Sequence, residues 1–510
     1  MTMYMTSQHK TRLAAGSRVL VIGIALAGLA APTRAAVRLP KVFGDHMVLQ
    51  RDIPVPVWGW ADPGEAITIR FAGVSTPAVA DNMGKWMLKM PPQKATTDGR
   101  ELMIAASNTV TFKDVVVGEV WLCGGQSNMD FGLAGALNAE QEIQAAQFPA
   151  IRHFRTDFAA PAEPADDCRG GQWQVCSPAT AGSFTAVGYF FARRIHQQLG
   201  VPVGLVTAAA GGTPVESWTS KAMMRAEPEF SAALKQFDDN LAKVPAAKKD
   251  DPGDAFLPSS LYNGMIAPHV PFGIRGVIWY QGEGNERDQP NSYFHKMRGM
   301  IQGWRGAWGL GDFPFYFTQI ANFRGPCTDP AGNDDVHWAT VRQSQLQTLS
   351  VKNSGMAVTI DLADPGNPGD IHPKDKQDVG ERLALWALAK TYGKANLVYS
   401  GPLCNGIKLE GGKIRVGFDS IGSGLMVGHK EGIKPTIDLK DAKLQTFAIA
   451  GADRKWHWAD AVIDGKSVVV SSPEVAEPVA VRYAYSMNPV GNKLYNKEGL
   501  PASPFRTDDW

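Results

Sequence analysis

Two hydrophobic periods alternate along this chain. From Val37 to about Asp114 the apolar positions recur every second residue. Val55-Pro56-Val57-Trp58-Gly59-Trp60 runs into the turn Asp62-Pro63-Gly64, and Ala66-Ile67-Thr68-Ile69-Arg70-Phe71 alternates after it. Lys85 to Met90 repeats the pattern before Pro91-Pro92. Short strands parted by Gly and Pro turns predict a small sandwich-like β domain over 37–114.

The texture changes at Val115. Apolar runs at 115–122, 203–208, 276–280, 315–320 and 356–360 read as buried strands. Between them the apolar residues adopt helical spacing. Val187, Phe190, Phe191, Ile195 and Leu199 share one face, with Gly200 and Pro202 as stop signals. Phe294, Met297, Ile301 and Trp304 mark a second helix, residues 338–349 a third, and Val379, Leu383, Trp386 and Ala387 a fourth that ends near Gly393. Five strand–helix alternations predict an α/β domain over 115–395, with a five-stranded parallel sheet covered on both faces. Residues 220–258 are polar and read as a surface excursion. Beyond Asn396 the period returns to two, in runs at 406–409, 413–416, 447–450, 467–470 and 479–483. This predicts a C-terminal β domain over 396–510.

The first 36 residues follow a different logic. Lys10, Arg12 and Arg18 precede an apolar run from Val19 to Ala31, and small residues follow with Thr33 and Ala35. This is the pattern of a secretory signal cleaved near Ala35-Ala36, and it predicts a secreted or periplasmic protein. An uncleaved N-terminal anchor is the alternative. No later stretch is apolar enough to span a bilayer, so no membrane association is expected after cleavage. The 510 residues are 44% hydrophobic and 20% charged, with net charge +1 and no long charged block. Nucleic acid is therefore not an expected partner. Five cysteines are too few for a disulfide scaffold. Cys168 with Cys176, and Cys327 with Cys404, are candidate pairs in an exported chain, whereas Cys123 reads as a buried free thiol.

Chemistry gathers where the middle strands end. The first stops at Gly124-Gly125-Gln126-Ser127-Asn128-Met129, the second at Ala210-Gly211-Gly212-Thr213, the third at Gln281-Gly282-Glu283, and Asp370-Ile371-His372-Pro373 follows the fifth. In a parallel sheet these carboxyl edges face one crevice. Acyl transfer needs a nucleophile, a base, an orienting acid and N–H donors for an oxyanion. Ser127 can attack and His372 can take its proton. The diglycine backbone and the Gln281 amide can donate. Each residue has a plainer reading as a helix cap, a packing glycine or a loop residue. Asp334, Asp335, His337 and Asp364 lack a recognisable ligand spacing, and no metal is expected.

These blocks resemble those of the sialate O-acetylesterase family, carbohydrate acetylesterases related to the SGNH hydrolases. Gly211-Gly212-Thr213-Pro214-Val215-Glu216-Ser217-Trp218 and Trp279-Tyr280-Gln281-Gly282-Glu283 carry the resemblance with Gly125 to Met129 and Asp370 to Pro373. Met47-Val48-Leu49-Gln50-Arg51, Val57 to Trp60, Asn492 to Asn496, Glu498 to Pro501 and Pro504 to Asp508 extend it over nearly the whole mature chain. The resemblance implies a flavodoxin-like SGNH hydrolase domain between all-β regions, removal of acetyl groups from sugar hydroxyls, and no cofactor. It implies Ser127 as nucleophile, His372 as base, and an oxyanion hole from the N–H groups of Ser127 and Gly211-Gly212 with Gln281.

Two carboxylates compete for the third place. The wider superfamily sets an Asp three residues before the His, and Asp370 stands only two before. Related acetylesterases use the acid of the Gln-Gly-Glu block, here Glu283, which is preferred. Gln126, Asn128, Trp218 and Asn285 are candidate substrate contacts, with core packing and loop capping as alternatives. The expected partner is an O-acetylated carbohydrate. A sialic acid carries a carboxylate, and Arg152, Arg155 and Arg324, read as loop residues, are candidates to meet it. An acetylated plant glycan such as acetylxylan, and an inactive carbohydrate-binding protein, are the competing readings.

Overall fold

In the computed structural model, residues 36–244, 253–289, 291–332, 336–364 and 366–510 are described. The expected signal lies outside them apart from Ala36, as do Asp334 and Asp335. The chain from Ala36 to Trp510 is one compact unit.

Its spine is one long strand, β1 (Thr109–Gly125). The first half pairs antiparallel with Thr96–Ala105 and parallel with Val48–Gln50, and so belongs to the N-terminal β region. The second half is the middle of the α/β sheet. The expected boundary between 114 and 115 thus falls inside one strand. Glu119 at this crossing is fully buried. Arg51 and Arg275 both grip it, the latter through Nε at 2.7 Å, and Gln50 donates to it at 3.2 Å.

The α/β sheet adds β2 (Ile151–Arg155), β3 (Trp173–Val175), β4 (Val203–Ala209), β5 (Gly276–Tyr280), β6 (Phe315–Thr318) and β7 (Ser354–Ala357), in the order β7-β6-β5-β1-β4-β2-β3. All neighbours are parallel except β3, which runs antiparallel to β2. The expected count of five parallel strands is corrected to six. The strand missed is β2, because Arg152, His153 and Arg155 make it look polar. Arg152 is nonetheless buried, held by Asp114 at 2.9 Å and by the carbonyls of Pro149 and His46. Tertiary partners override the local pattern there.

Side chains alternate between two cores, as pleating requires. Val120 and Leu122 enter one, Trp121 and Cys123 the other. Cys168 lies in the first core and Cys176 in the second, so the sheet stands between them. All five cysteines are free, which corrects the expected pairs. Cys123 is a buried free thiol.

The helices that position the site are α1 (Ser127–Asp130), α2 (Ala186–Leu199), α3 (Ser292–Trp308), α4 (Val336–Thr348) and α5 (Lys376–Trp386). Helix α2 ends on Gly200 at φ 68°, as its sequence requires. The excursion after residue 220 contains helices at Lys221–Ala226 and Ser231–Lys243, whose Met224 and Phe237 are buried. The C-terminal β region packs antiparallel sheets around Val416, Phe447, Val468 and Tyr483. Among the described residues no helix is long and apolar enough to cross a membrane.

Candidate active site

Ser127 stands where β1 stops. A Cβ on Gly125 would lie 2.1 Å from the Tyr280 carbonyl oxygen, and its φ of 140° suits only glycine. The Gln126 N–H pairs with that carbonyl at 3.0 Å, and the chain then enters the single turn of α1. The first N–H groups of a helix have no intrahelical acceptor, so Ser127 sits at a donor-rich end. The turn after β4 passes over it: a Cβ on Gly211 would meet the Ser127 Cβ at 3.6 Å.

The loop after β7 brings the imidazole. His372 Nε2 lies 2.8 Å from Ser127 Oγ. Asp370 Oδ1 lies 3.4 Å from His372 Nδ1 and accepts the His372 backbone N–H at 2.9 Å. Phe131 stacks on the ring at 6.2 Å between centroids. Burial first, then the Lys376 cation, push the His372 pKa below its ordinary value, while Asp370 acts in the opposite direction. Ser127, His372 and Asp370 thus form one contiguous chain of contacts.

Other candidates lie elsewhere than expected. Glu283, preferred as the orienting acid, faces Asn128: its Oε1 accepts from Asn128 Nδ2 at 2.6 Å, and its Oε2 is buried without a partner. No hydrogen bond joins it to His372 among the described residues, so the preference moves to Asp370. Gln281 is fully buried, and its Nε2 is committed to Asn285 Oδ1 at 2.7 Å and Thr213 O at 3.2 Å. That commitment corrects its expected place in the oxyanion hole. Asn285 is spent as well, accepting from Val215 N–H and donating to Glu216 and Asp288. Trp218 is fully buried and bonded to Thr213, so it lines the core and not a sugar site. Gln126 is buried and accepts from Gly284 N–H at 3.1 Å. Asn128 has no free polar atom: Nδ2 serves Glu283 and Ile371 O, and Oδ1 accepts from Lys376 Nζ at 2.5 Å.

Of the three arginines, Arg155 pairs with Asp130 of α1 at 2.8 Å, and Arg324 donates its backbone N–H to Pro368 O, on the loop carrying His372, at 2.6 Å. Arg155 is half exposed and borders a cavity of about 430 Å³ with Asp157, Gln172, Gln174 and Ser183. Arg152 is buried on Asp114, and the Arg324 carbonyl caps Asn488 of the C-terminal region. Sequence reasoning missed Lys376 and Phe131. Lys376 opens the helix that follows the His372 loop, and a lysine at that place was the available signal. Among the described residues no group of three His, Cys, Asp or Glu is placed to hold a metal ion.

Comparison with known proteins places the chain among carbohydrate esterases. Residues 117–389 match the family described as carbohydrate esterase, sialic acid-specific acetylesterase. The chain is 29% identical to a sialate O-acetylesterase of Mus musculus, over 95% of this chain and 97% of that protein. It is 28% identical to the sialate O-acetylesterase of Homo sapiens, over 95% and 96%. The crystal structure of a carbohydrate acetylesterase from Xanthomonas citri superposes with TM-score 0.81 at 40% identity, covering 93% of this chain and all of that one. The chain therefore belongs to the sialic acid-specific acetylesterase family of carbohydrate esterases, and it is a carboxylic ester hydrolase.

Proposed function

We propose that this enzyme removes O-acetyl groups from sugar hydroxyls, with O-acetylated sialic acids as the substrate class, by a serine mechanism. The 2.8 Å contact between His372 Nε2 and Ser127 Oγ carries the reading. His372 takes the serine proton as Oγ attacks the acetyl carbonyl. Asp370 on Nδ1 holds the ring in the tautomer that leaves Nε2 as acceptor. The oxyanion rests on the N–H groups of Ser127 and the Gly211-Gly212 turn, each donor worth about 3 kcal/mol when aimed at the developing charge. His372 returns the proton to the departing sugar oxygen, and water then hydrolyses the acetyl-enzyme.

The sialate substrate is the one named by the mouse and human relatives. Arg155, whose partner Asp130 is one helical turn from Ser127, supplies a cation for its carboxylate. A second reading, an acetylated neutral glycan such as acetylxylan, is favoured by Asp130 and Asp157 beside that arginine, since both oppose an anion. Without β2 at one side, the parallel strands in chain order lie as 2-1-3-4-5, which supports a flavodoxin-like core with one added parallel strand. The charged, apolar and small-residue order of residues 1–36 supports export.

The test is acetate release by wild type and Ser127→Ala from O-acetylated sialic acid and from acetylated xylo-oligosaccharide. Release that disappears in the variant is expected, with sialic acid preferred. Release that survives the substitution removes Ser127 as nucleophile, and a preference for the xylo-oligosaccharide selects the second substrate.

A further inference from the structure

One side chain touches three of the blocks that build the site. Asn128 follows the nucleophile, and its Nδ2 donates to Ile371 O at 3.1 Å, the carbonyl before the base. The same Nδ2 donates to Glu283 Oε1 at 2.6 Å, and Oδ1 accepts from Lys376 Nζ at 2.5 Å. An amide is nearly symmetric in shape and asymmetric in hydrogen bonding, so its partners decide which end faces where. As an ammonium, its form below about pH 7, Lys376 only donates and fixes the oxygen end. A carboxylate only accepts and fixes the NH₂ end. With both in place, NH₂ must face the Ile371 carbonyl. Turned over, the amide would set oxygen against two acceptors and NH₂ against an ammonium.

We propose that Lys376 is a positioning residue of the esterase: through Asn128 it locks the loop carrying His372 to the turn carrying Ser127. This inference rests on the serine-esterase reading above.

Burial makes the lock selective. Lys376 is fully buried, Asn128 is 1% exposed and Glu283 7%. Water therefore has little access to replace a lost partner, and an unpaired polar group here is costly. Lys376 has no carboxylate within ion-pair distance among the described residues. Its other neighbours are the rings of Phe131 at 4.8 Å and Tyr280 at 5.3 Å. A buried lysine without a salt bridge, held on a side-chain amide and two aromatic faces, is not explained by ordinary ion pairing. Phe131 carries the ammonium and the imidazole on one ring, which brings the cation close to His372.

The charged groups acting on His372 are Asp370 on its own loop and Lys376 on α5; Glu283 beyond β5 is held on Asn128, and Asp130 on α1 is held by Arg155. Burial pushes the Lys376 pKa down to about 7, against the carboxylates of Glu283, Asp370 and Asp375, which act to keep it protonated. Among these groups Lys376 is the cation that lowers the His372 pKa. Its loss is expected to raise that pKa toward the ordinary 6.5.

The experiment compares Lys376→Met, Lys376→Gln and Asn128→Asp with wild type, reading kcat, KM and the pH profile of kcat/KM on an aryl acetate. Gln keeps a donor for Asn128 Oδ1 without the charge, Met keeps neither, and Asp at 128 has no N–H for Ile371 O. The expected result is a kcat loss of roughly 100-fold in Lys376→Met and in Asn128→Asp, as for a misplaced reacting group, with KM little changed. Lys376→Gln is expected to recover most of that loss, while both Lys376 variants move the acid limb to higher pH. Equal losses in Met and Gln, or wild-type kcat in Asn128→Asp, would overturn the proposal. If Lys376→Met does not fold, the Gln variant with an unmoved acid limb overturns it too. Failure of the esterase reading is seen separately, as activity unaffected by Ser127→Ala.

Discussion

A carboxylate two residues before a histidine reaches its ring because the loop is folded back on itself. The Asp370 N–H bonds to Asn367 O at 3.0 Å, and the carboxylate then caps the His372 N–H. Asp370 thus reaches the ring from two residues away, whereas Glu283 bonds to Asn128. Asp370→Asn is expected to lower kcat roughly 100-fold, within the range of general acid–base contributions. Glu283→Gln, which retains an acceptor for Asn128, is expected to cost under about tenfold. Turnover of an acetyl ester by the two variants checks the order, and a larger loss in the Glu283 variant would return it to the orienting role. His372 must be neutral to accept a proton, and its pKa is lowered by burial and Lys376. Activity is therefore present above the lowered pKa and lost as pH falls through it. The acid limb of kcat/KM should lie below the 6.5 of a free imidazole, and a titration of rate against pH reads it directly. Ser127 and His372 were legible because the Gly-Gly and Asp-x-His blocks follow strands. The bonding of Gln281, Asn285 and Trp218 was not, because an amide or indole on a loop looks the same whether it faces substrate or neighbours.

The two glycines flanking the nucleophile differ as elements of the fold. Gly125 ends β1 in a conformation closed to other residues, with the Tyr280 backbone where a Cβ would go. Gly211 has only ordinary contact at that position and no positive φ. Gly125→Ala is therefore expected to destabilise by more than about 3 kcal/mol and to yield little soluble protein. Gly211→Ala should keep the wild-type melting temperature and lose activity, because the new methyl group borders Ser127. Thermal melts and acetate release on both variants distinguish the two effects. At this scale the strands and helices with strong periods were readable, among them β4, β5, α2 and α3. Strand β2 was not, since its three basic or imidazole side chains find Asp114, Thr207 and Asp130 only in the folded sheet.

Across the whole molecule, the C-terminal β region holds the base of the catalytic loop. The Lys430 side chain is 4% exposed and lies 2.5 Å from Asp378 and 3.9 Å from Asp375, at the start of α5. Burial and Asp378 together push the Asp375 pKa up to about 7. Lys430→Met would leave this acidic pair with only the more distant Arg382, 3.9 Å from Asp378, and a destabilisation of about 3 kcal/mol is expected from denaturant midpoints. Arg342 of α4 makes a second tie: fully buried, it donates to the carbonyls of Ile320 and Ala321 on one side and Ser486 and Met487 on the other. A chain ending at residue 395 would strip both ties, and it is expected to be insoluble or to lack a cooperative melt. A soluble, active 36–395 fragment would show instead that the α/β part stands alone.

The chain's local pattern by itself determined the α/β core, its flanking β regions, the carboxyl-edge glycine turns, and the placing of Ser127 and His372 after strands. These depend on period, on turn chemistry and on which residues follow strands, all of which are local. Tertiary structure alone decided that Asp370 lies 3.4 Å from the imidazole Nδ1 and that Glu283, Asn128 and Lys376 form a buried chain of contacts. It also decided that a single strand is shared by two regions that the sequence divides at 114. Those outcomes depend on which polar atoms meet after distant segments pack, and hydrogen-bond partners 155 or 248 residues apart leave no periodic trace in a sequence.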